Sequence, residues 1–312
     1  MTTTTVRATA ATASSAPTAV PRRRVTRDTW VALGFLAPTL FGFALFYFWP
    51  SLRGLWLSLT DYSFFAESSF VGFANYQRLL ADETFWNAML VTVEYVALNI
   101  GFQTVFALGL AVLLHRLTRS VVIRGLVLMP YLVANVVVAL LWFWMLDAQI
   151  GVVNQVLAAI GLDPVAFFGS ETWAIPTIAF VNTWRHLGYT ALLIFAGLVM
   201  IPKILYEAAK VDGAGEFQMF RRITLPLLRP VLALVLVITI VGSFQVFDTV
   251  AVTTQGKPGD ASRVIQYYIF DLAFQRLDYG YACAVSVVLL VILAVIAFVQ
   301  LRLMRANESD LS

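Results

Sequence analysis

The sequence predicts an all-α polytopic membrane protein with six transmembrane helices and both termini cytoplasmic. Three observations carry this expectation. Of 312 residues, 60% are hydrophobic and 12% charged, about half the charged share of a soluble domain. Six apolar stretches are long enough to cross a hydrocarbon core of about 30 Å. The lysines and arginines concentrate in alternate connections between those stretches, which is the asymmetry that sets topology.

Residues 1–29 read as a disordered cytoplasmic tail, because MTTTTVRATAATASSAPTAV has too little apolar surface to bury a core. The basic run PRRRVTRDTW follows it. A signal peptide is one reading, but the next apolar run is long and lacks a convincing small-residue cleavage site, so it is taken as an uncleaved first span. The membrane domain covers 30–305, and 306–312 form a C-terminal tail. The spans are expected at Trp30–Leu59, Trp86–Leu114, Val121–Leu146, Trp173–Met200, Pro230–Val252 and Tyr279–Leu303. Pro50 should end or kink the first of them. Trp30, Trp49, Trp86, Trp142, Trp144 and Trp173 stand near span ends, where indoles favour the headgroup layer.

Fifteen of the 21 Lys and Arg residues lie in the N-terminal tail, the second-to-third connection, the 201–229 connection and the C-terminus. The alternate connections hold only Arg53, Arg78, Lys257, Arg263 and Arg276. The positive-inside rule therefore puts both termini and 201–229 in the cytoplasm.

Composition also excludes several classes. One cysteine, Cys283, rules out a disulfide framework, and two histidines, His115 and His186, make a histidine metal cluster implausible. No phosphate-loop, zinc-protease or serine-hydrolase signature occurs, so no catalytic or metal-binding residues are assigned and ATP is not expected on this chain. No feature points to nucleic acid.

The stretch EAAKVDGAGEFQMFRRITLPLLRP, 207–230, interrupts the apolar chain with a polar, basic segment. Lys203–Asp212 should form a short helix of good helix formers, turned by Gly213 in a left-handed conformation. Glu216–Thr224 should form a second, with Phe217, Phe220 and Ile223 toward one side. Pro226 and Pro230 should end it. The result is a helical knob with small residues, Ala208 and Ala209, where a partner could approach. The residues alone leave open a hairpin lying on anionic lipid.

The spacing EAA, three residues, Gly, nine residues, I-x-L-P, carried by Glu207, Ala208, Ala209, Gly213, Ile223, Leu225 and Pro226, resembles the coupling motif of permeases of binding-protein-dependent ATP-binding-cassette importers. The surrounding AGLVMIPKILYEAAKVDGAG, which includes Asp212, looks like the carbohydrate-uptake branch. FDTVAVTTQGKPG resembles a segment of that branch typically reading T-G-G-G-P, with Gln255 and Lys257 replacing two glycines. The resemblance covers about 30–305. It implies the type I importer permease fold in a bacterial or archaeal cytoplasmic membrane and a heterodimer with a second, similar permease. It also implies two ATPase subunits that carry ATP and Mg, and an extracytoplasmic solute-binding protein. In it, Glu207 supplies polar contacts to the ATPase and the two alanines allow close packing. Gly213 makes the turn, and Ile223, Leu225 and Pro226 fix the hairpin to the membrane helices.

Ionisable and amide groups at membrane depth mark a pathway or a structural pair. Asn182, Trp184, Arg185 and Tyr189 combine donors, acceptors and rings suited to a polyol, whereas Arg185 alone could snorkel outward or pair with Glu94 or Asp248. Gln245, Phe247 and Asp248, with Gln245 and Asp248 on one helical face, could contact a sugar or close an outer gate. Asn99 and Gln103 fit a bridge between helices, and Asn135, beyond the bend at Pro130, fits either role. The connection 147–172 should contain a short amphipathic helix, with Phe167 and Phe168 as docking or interfacial groups. An autonomous secondary transporter or channel is the alternative function, though it would favour repeated broken spans with paired acids.

Overall fold

A computed structural model describes residues 27–63, 68–118 and 120–308. The expectations for 1–26, including Arg7, Arg22, Arg23 and Arg24, for Arg119 and for 309–312 fall outside the described residues. The chain divides into two compact units, Met1–Leu52 and Arg53–Ser312. Among the described residues every regular element is helical, and an isolated β-bridge joins Thr60 and Phe70. Among the described residues four helices are long and apolar enough to cross a membrane, or up to six if each of two bent pairs is one span.

The first unit holds α1 (Arg27–Phe43), a π-helical turn at Ala44–Phe48 and the beginning of α2 (Trp49–Leu57). Pro50 does not end this helix, one of the two outcomes expected of it, and the regular α-helix is interrupted by the π turn just before it. Proline lacks an N–H and its ring collides with the carbonyl four residues back. The π turn widens the chain there, so that the Trp49 amide reaches back five residues to Ala44. The same device corrects a second expectation. Pro226 and Pro230 do not terminate the hairpin's second helix: α10 (Glu216–Met219) passes through a π turn at Phe220–Thr224 directly into α11 (Leu225–Phe244). The Leu225 amide bonds to the Phe220 carbonyl five residues back.

In the second unit, α3 (Ala74–Leu80) is pinned by Asn75, whose Nδ2 donates to the carbonyls of Ser58 (2.9 Å) and Thr60 (2.8 Å). Helix α4 (Glu83–Leu117) begins at Asp82, whose side chain accepts from the Thr84 amide at 2.9 Å. The other Asp82 oxygen accepts from the phenols of Tyr268 and Tyr281 at 2.5 and 2.6 Å. This joins the head of α4 to α13 (Ile265–Phe270) and to α14 (Tyr279–Glu308), which follow a loop and a third π turn at Asp271–Gln275.

The expected third span is broken into α5 (Val121–Leu132) and α6 (Asn135–Met145), bent by 88°. Val133 and Ala134 between them are extended, with ψ of 140° and 137°. The loop after α6 contains α7 (Val152–Ala159), the short helix expected there. Phe168 is buried against Phe143, with ring centres 5.4 Å apart, so it is a core group. Trp142 also packs inward, on Phe180 and Trp184, rather than marking a span end.

Helix α8 (Ala174–Met200) is the central element, packed on α4, α5 and α11. Small residues permit the approach. Ala107 and Ala111 on α4 and Ala191 on α8 are fully buried. A Cβ on Gly188 would stand 1.9 Å from the Val127 carbonyl oxygen of α5. A 67° bend separates α8 from α9 (Lys203–Val211), the first helix of the hairpin. The expected fifth span stops at Phe244, and α12 (Asp248–Val252) starts afresh after Gln245–Phe247. Gln245 and Asp248 therefore do not share one helical face. In the loop beyond, Gln255 adopts φ +53° where the resembled pattern has glycine, a strain of about 1 kcal/mol for a residue with a side chain.

Candidate functional site

Two features stand out in the second unit: a polar cavity inside the helix bundle and the exposed hairpin. The cavity has a volume of about 410 Å³. Helix α4 contributes Tyr95, Asn99 and Gln103. Helices α5 and α6 contribute Tyr131 and Asn135, and α8 contributes Asn182, Arg185, His186, Tyr189 and Thr190. Ser243, Gln245, Phe247 and Asp248 come from the end of α11, the break and α12. Nine of the ten pathway residues expected from the sequence thus line one cavity. Trp184 does not, because its ring packs edge-on to Trp142 at 5.5 Å.

Hydrogen bonds tie the cavity helices together. Asn99 Nδ2 donates to Ser243 Oγ at 2.8 Å, joining α4 to α11. Gln103 Nε2 donates to Thr190 Oγ1 at 2.6 Å, and Thr183 Oγ1 to Asn99 Oδ1 at 3.2 Å, joining α4 to α8. Thr249 Oγ1 donates to Asn182 Oδ1 at 3.1 Å. Asn135 Nδ2 donates to Asp248 Oδ2 at 3.0 Å across the gap between α6 and α12. Buried polar groups of this kind persist because each has a partner. Asn99 and Gln103 therefore serve as the expected bridges and also line the cavity.

Arg185 lines the cavity as expected, but its pairing differs from the alternatives considered. It neither snorkels nor pairs with Glu94 or Asp248. Its guanidinium donates to the carbonyls of Tyr131 and Val133 at the end of α5, at 3.1–3.2 Å, and lies 5.2 Å from the centre of the Tyr131 ring. Tyr131 stacks in turn on Tyr189, with centroids 4.6 Å apart and planes 13° off parallel. Tyr131, Tyr95, Thr190 and Ser243 escaped the sequence reading. Only Tyr131 offered a signal, standing next to the bend-forming Pro130.

The hairpin turns at Gly213, which adopts φ +79°. Behind it the Ala214 amide bonds to the Ala209 carbonyl at 2.9 Å, and the Gly213 amide to Lys210 at 3.1 Å, closing the end of α9. Glu207, Ala208 and Asp212 are exposed and Ala209 is half-buried. Exposed apolar side chains accompany them: Ile204, Val211 and Phe217 are 70%, 88% and 76% accessible. Phe217 therefore points away from the half-buried Phe220 and Ile223, against the expectation of a shared side. Ile223, Leu225 and Pro226 are half-buried, and Tyr206 and Thr224 join the two arms by a 2.8 Å hydroxyl contact.

Comparison with known proteins gives this geometry a context. Residues 103–312 match the family described as "Binding-protein-dependent transport system inner membrane component". The chain is 35% identical over 277 residues to the trehalose/maltose transport system permease protein MalF of Thermococcus litoralis, covering 88% of this chain and 94% of that one. It is 33% identical over 283 residues to the sn-glycerol-3-phosphate transport system permease protein UgpA of Salmonella choleraesuis, covering 90% and 96%. Among solved structures, a bacterial alginate ABC transporter in complex with an alginate pentasaccharide-bound periplasmic protein superposes with a TM-score of 0.81. That match has 29% identity and covers 91% of this chain and 96% of the other. The chain belongs to the binding-protein-dependent inner membrane components and is a permease subunit of an ATP-binding-cassette importer, a transport protein rather than an enzyme.

Proposed function

We propose that this permease forms half of the translocation path for a sugar or sugar-like solute and takes its power stroke through the 201–229 hairpin. The observation that carries the reading is the convergence of amide, hydroxyl and aromatic groups from α4, α5, α6, α8 and α11 on one cavity beside a stacked tyrosine pair. Hydroxyl-rich solutes need donors and acceptors around their edge and rings against their C–H faces. Names of relatives that include trehalose/maltose support the solute class.

In this reading the membrane domain, 30–305, makes six crossings, with the bent α5–α6 pair as one of them and both termini cytoplasmic. The tails 1–29 and 306–312 lie outside it. The membrane is the bacterial or archaeal cytoplasmic one. Glu207, Ala208, Ala209, Asp212 and Gly213 form the face received by a cytoplasmic ATPase, and Ile223, Leu225 and Pro226 hold that face to the bundle. The exposure of Glu207, Ala208, Asp212 and Gly213 and the partial burial of Ile223, Leu225 and Pro226 support this division. A second permease completes the path, two ATPase subunits hold ATP and Mg, and a solute-binding protein delivers cargo from outside. Closure of the ATPase pair moves the hairpin, and the hairpin moves the helices around the cavity.

Gentle solubilisation and affinity capture of the chain test this. Recovery of an ATPase, a second permease and a binding protein is the expected result. A chain recovered alone that transports when reconstituted by itself would overturn it in favour of an autonomous carrier.

A further inference from the structure

We infer that Asp248, braced by Asn135, makes the cavity a filter against anions, and that the solute passing it is uncharged and rich in hydroxyl groups. The inference rests on the reading of this cavity as the solute path. Family membership leaves the charge of the solute open, since relatives are named both for trehalose/maltose and for sn-glycerol 3-phosphate.

Two lining residues carry full charges, Arg185 and Asp248, and among the described residues no ion pair joins them. The cation keeps its charge, but its donors are largely taken. Its Nε and Nη2 both donate to the Val133 carbonyl, at 3.2 and 3.1 Å, and Nη2 also donates to the Tyr131 carbonyl at 3.2 Å. Its Nη1 meets His186 Nε2 at 3.1 Å. A guanidinium only donates and a carbonyl only accepts. His186 therefore receives Arg185 on Nε2 and gives its single proton from Nδ1 to the Asn182 carbonyl, 2.8 Å away. The ring is neutral and adds no positive charge. Of the five guanidinium N–H groups, one is left.

The anion is the reverse. Asp248 Oδ2 accepts from Asn135 Nδ2 at 3.0 Å, and Oδ1 has no partner among the described residues. Asn135 Oδ1 is buried and likewise has no hydrogen-bond partner. The wall between α6 and α12 thus presents one unclaimed acceptor to the cavity, the carboxylate oxygen Asp248 Oδ1, while Asn135 Oδ1 lies buried behind it. A sugar hydroxyl satisfies Asp248 Oδ1 by donating its one proton, and can accept in return from the exposed Gln245 amide that also lines the cavity. An ionised phosphate, sulfonate or carboxylate has only acceptors to offer this oxygen and meets the Asp248 charge in a confined site, where water screens it poorly.

The field of the cavity can be read without knowing the solute. In the assembled importer carrying Gln245→Cys, the thiol is reacted with cationic trimethylammonium-ethyl, neutral hydroxyethyl and anionic sulfonatoethyl methanethiosulfonates. Each rate is normalised to that of a small free thiol. Labelling is followed by mass on the peptide containing position 245, which separates it from Cys283. The expected result is that the anionic reagent is slower than the other two by about tenfold or more. Adding Asp248→Asn should bring the three to within about twofold. An anionic reagent as fast as the neutral one in the presence of Asp248 would overturn the proposal, as would a difference that survives Asp248→Asn. Failure of even the neutral reagent to label, in both nucleotide-free and nucleotide-bound complexes, would overturn it too, because the cavity would not be a solvent-reached path. Labelling requires no transport, so its outcome is separate from the co-purification that tests the importer assembly.

Discussion

Arg185 is bound to Val133 twice: Nε and Nη2 of the guanidinium both donate to the Val133 carbonyl, at 3.2 and 3.1 Å. Val133 lies where α5 ends and the chain swings through 88° into α6. A break in a membrane helix frees carbonyls that no lipid can satisfy, so a neighbouring side chain must take them. Arg185 reaches over from α8 and does so.

Arg185→Met should therefore act on stability as much as on transport. It strips charge-assisted bonds from two carbonyls and should cost about 3 kcal/mol. The thermal midpoint of the solubilised complex measures this. Arg185→Lys should recover only part of the loss, because an ammonium cannot fork across both carbonyls. A midpoint unchanged in Arg185→Met would show that the break holds without the clamp.

Two glycines should respond to alanine for opposite reasons. At Gly188 a Cβ would stand 1.9 Å from the Val127 carbonyl oxygen, so α5 and α8 must separate, at a cost of roughly 3 kcal/mol or more. At Gly213 nothing lies within 4 Å, but φ is +79°, and alanine costs only about 1 kcal/mol, confined to the turn. Expression and thermal midpoints of the two variants should differ in that order. Equal effects would mean that the helix contact yields more easily than its geometry implies.

The hairpin can be broken chemically without touching the bundle. Gly213→Asp with Glu207→Lys strains the turn and reverses a charge on the exposed face. Loss of about 2 kcal/mol of docking energy, the scale of an interface hot spot, would lower recovery of the ATPase roughly thirtyfold. Uptake should fall with it while membrane insertion stays normal. Full uptake in the double variant would exclude this face as the coupling surface.

Asp82 gives a pH dependence with a definite sign. Burial pushes its carboxyl up, but the Tyr268 and Tyr281 phenols and the Phe85 and Thr84 amides outweigh this and hold it below the usual carboxylate value. A carboxyl depressed on folding adds stability above its unfolded value, near 3.9, and loses it as pH falls through the folded value. Asp82→Asn keeps the helix cap but gives up the charge, at a cost of about 1–2 kcal/mol at neutral pH. Thermal midpoints of the two proteins should converge below about pH 4. A constant gap down to pH 3 would assign the loss to packing.

The hairpin was the most legible element. Helix formers over Lys203–Asp212 and a glycine after them specify α9 and its turn through local energetics alone, and the turn adopts φ +79° as its sequence requires. Prolines misled for an equally local reason. Pro50, Pro226 and Pro230 remove amides, but π turns upstream of Pro50 and Pro226 let the helices continue, and no composition rule registers a shift of one residue in bonding. The break at Val133–Ala134 holds neither glycine nor proline, and its one signal was Pro130 three residues earlier, where a bend was expected.

The sequence by itself determined the helical class, the apolar lengths, the hairpin and which polar residues had to be explained at membrane depth. Those follow from transfer energies and nearest-neighbour backbone preferences, which every short segment carries within it. Tertiary structure alone decided what the polar residues do. Arg185 clamps the break after α5 because Val133 comes to lie beside it from 52 residues away. Asp248 faces the cavity with a free oxygen because Asn135, 113 residues away, binds only one of the two. A side chain's spare hydrogen-bonding capacity is what remains after its neighbours are served, and neighbours from other helices are set by packing.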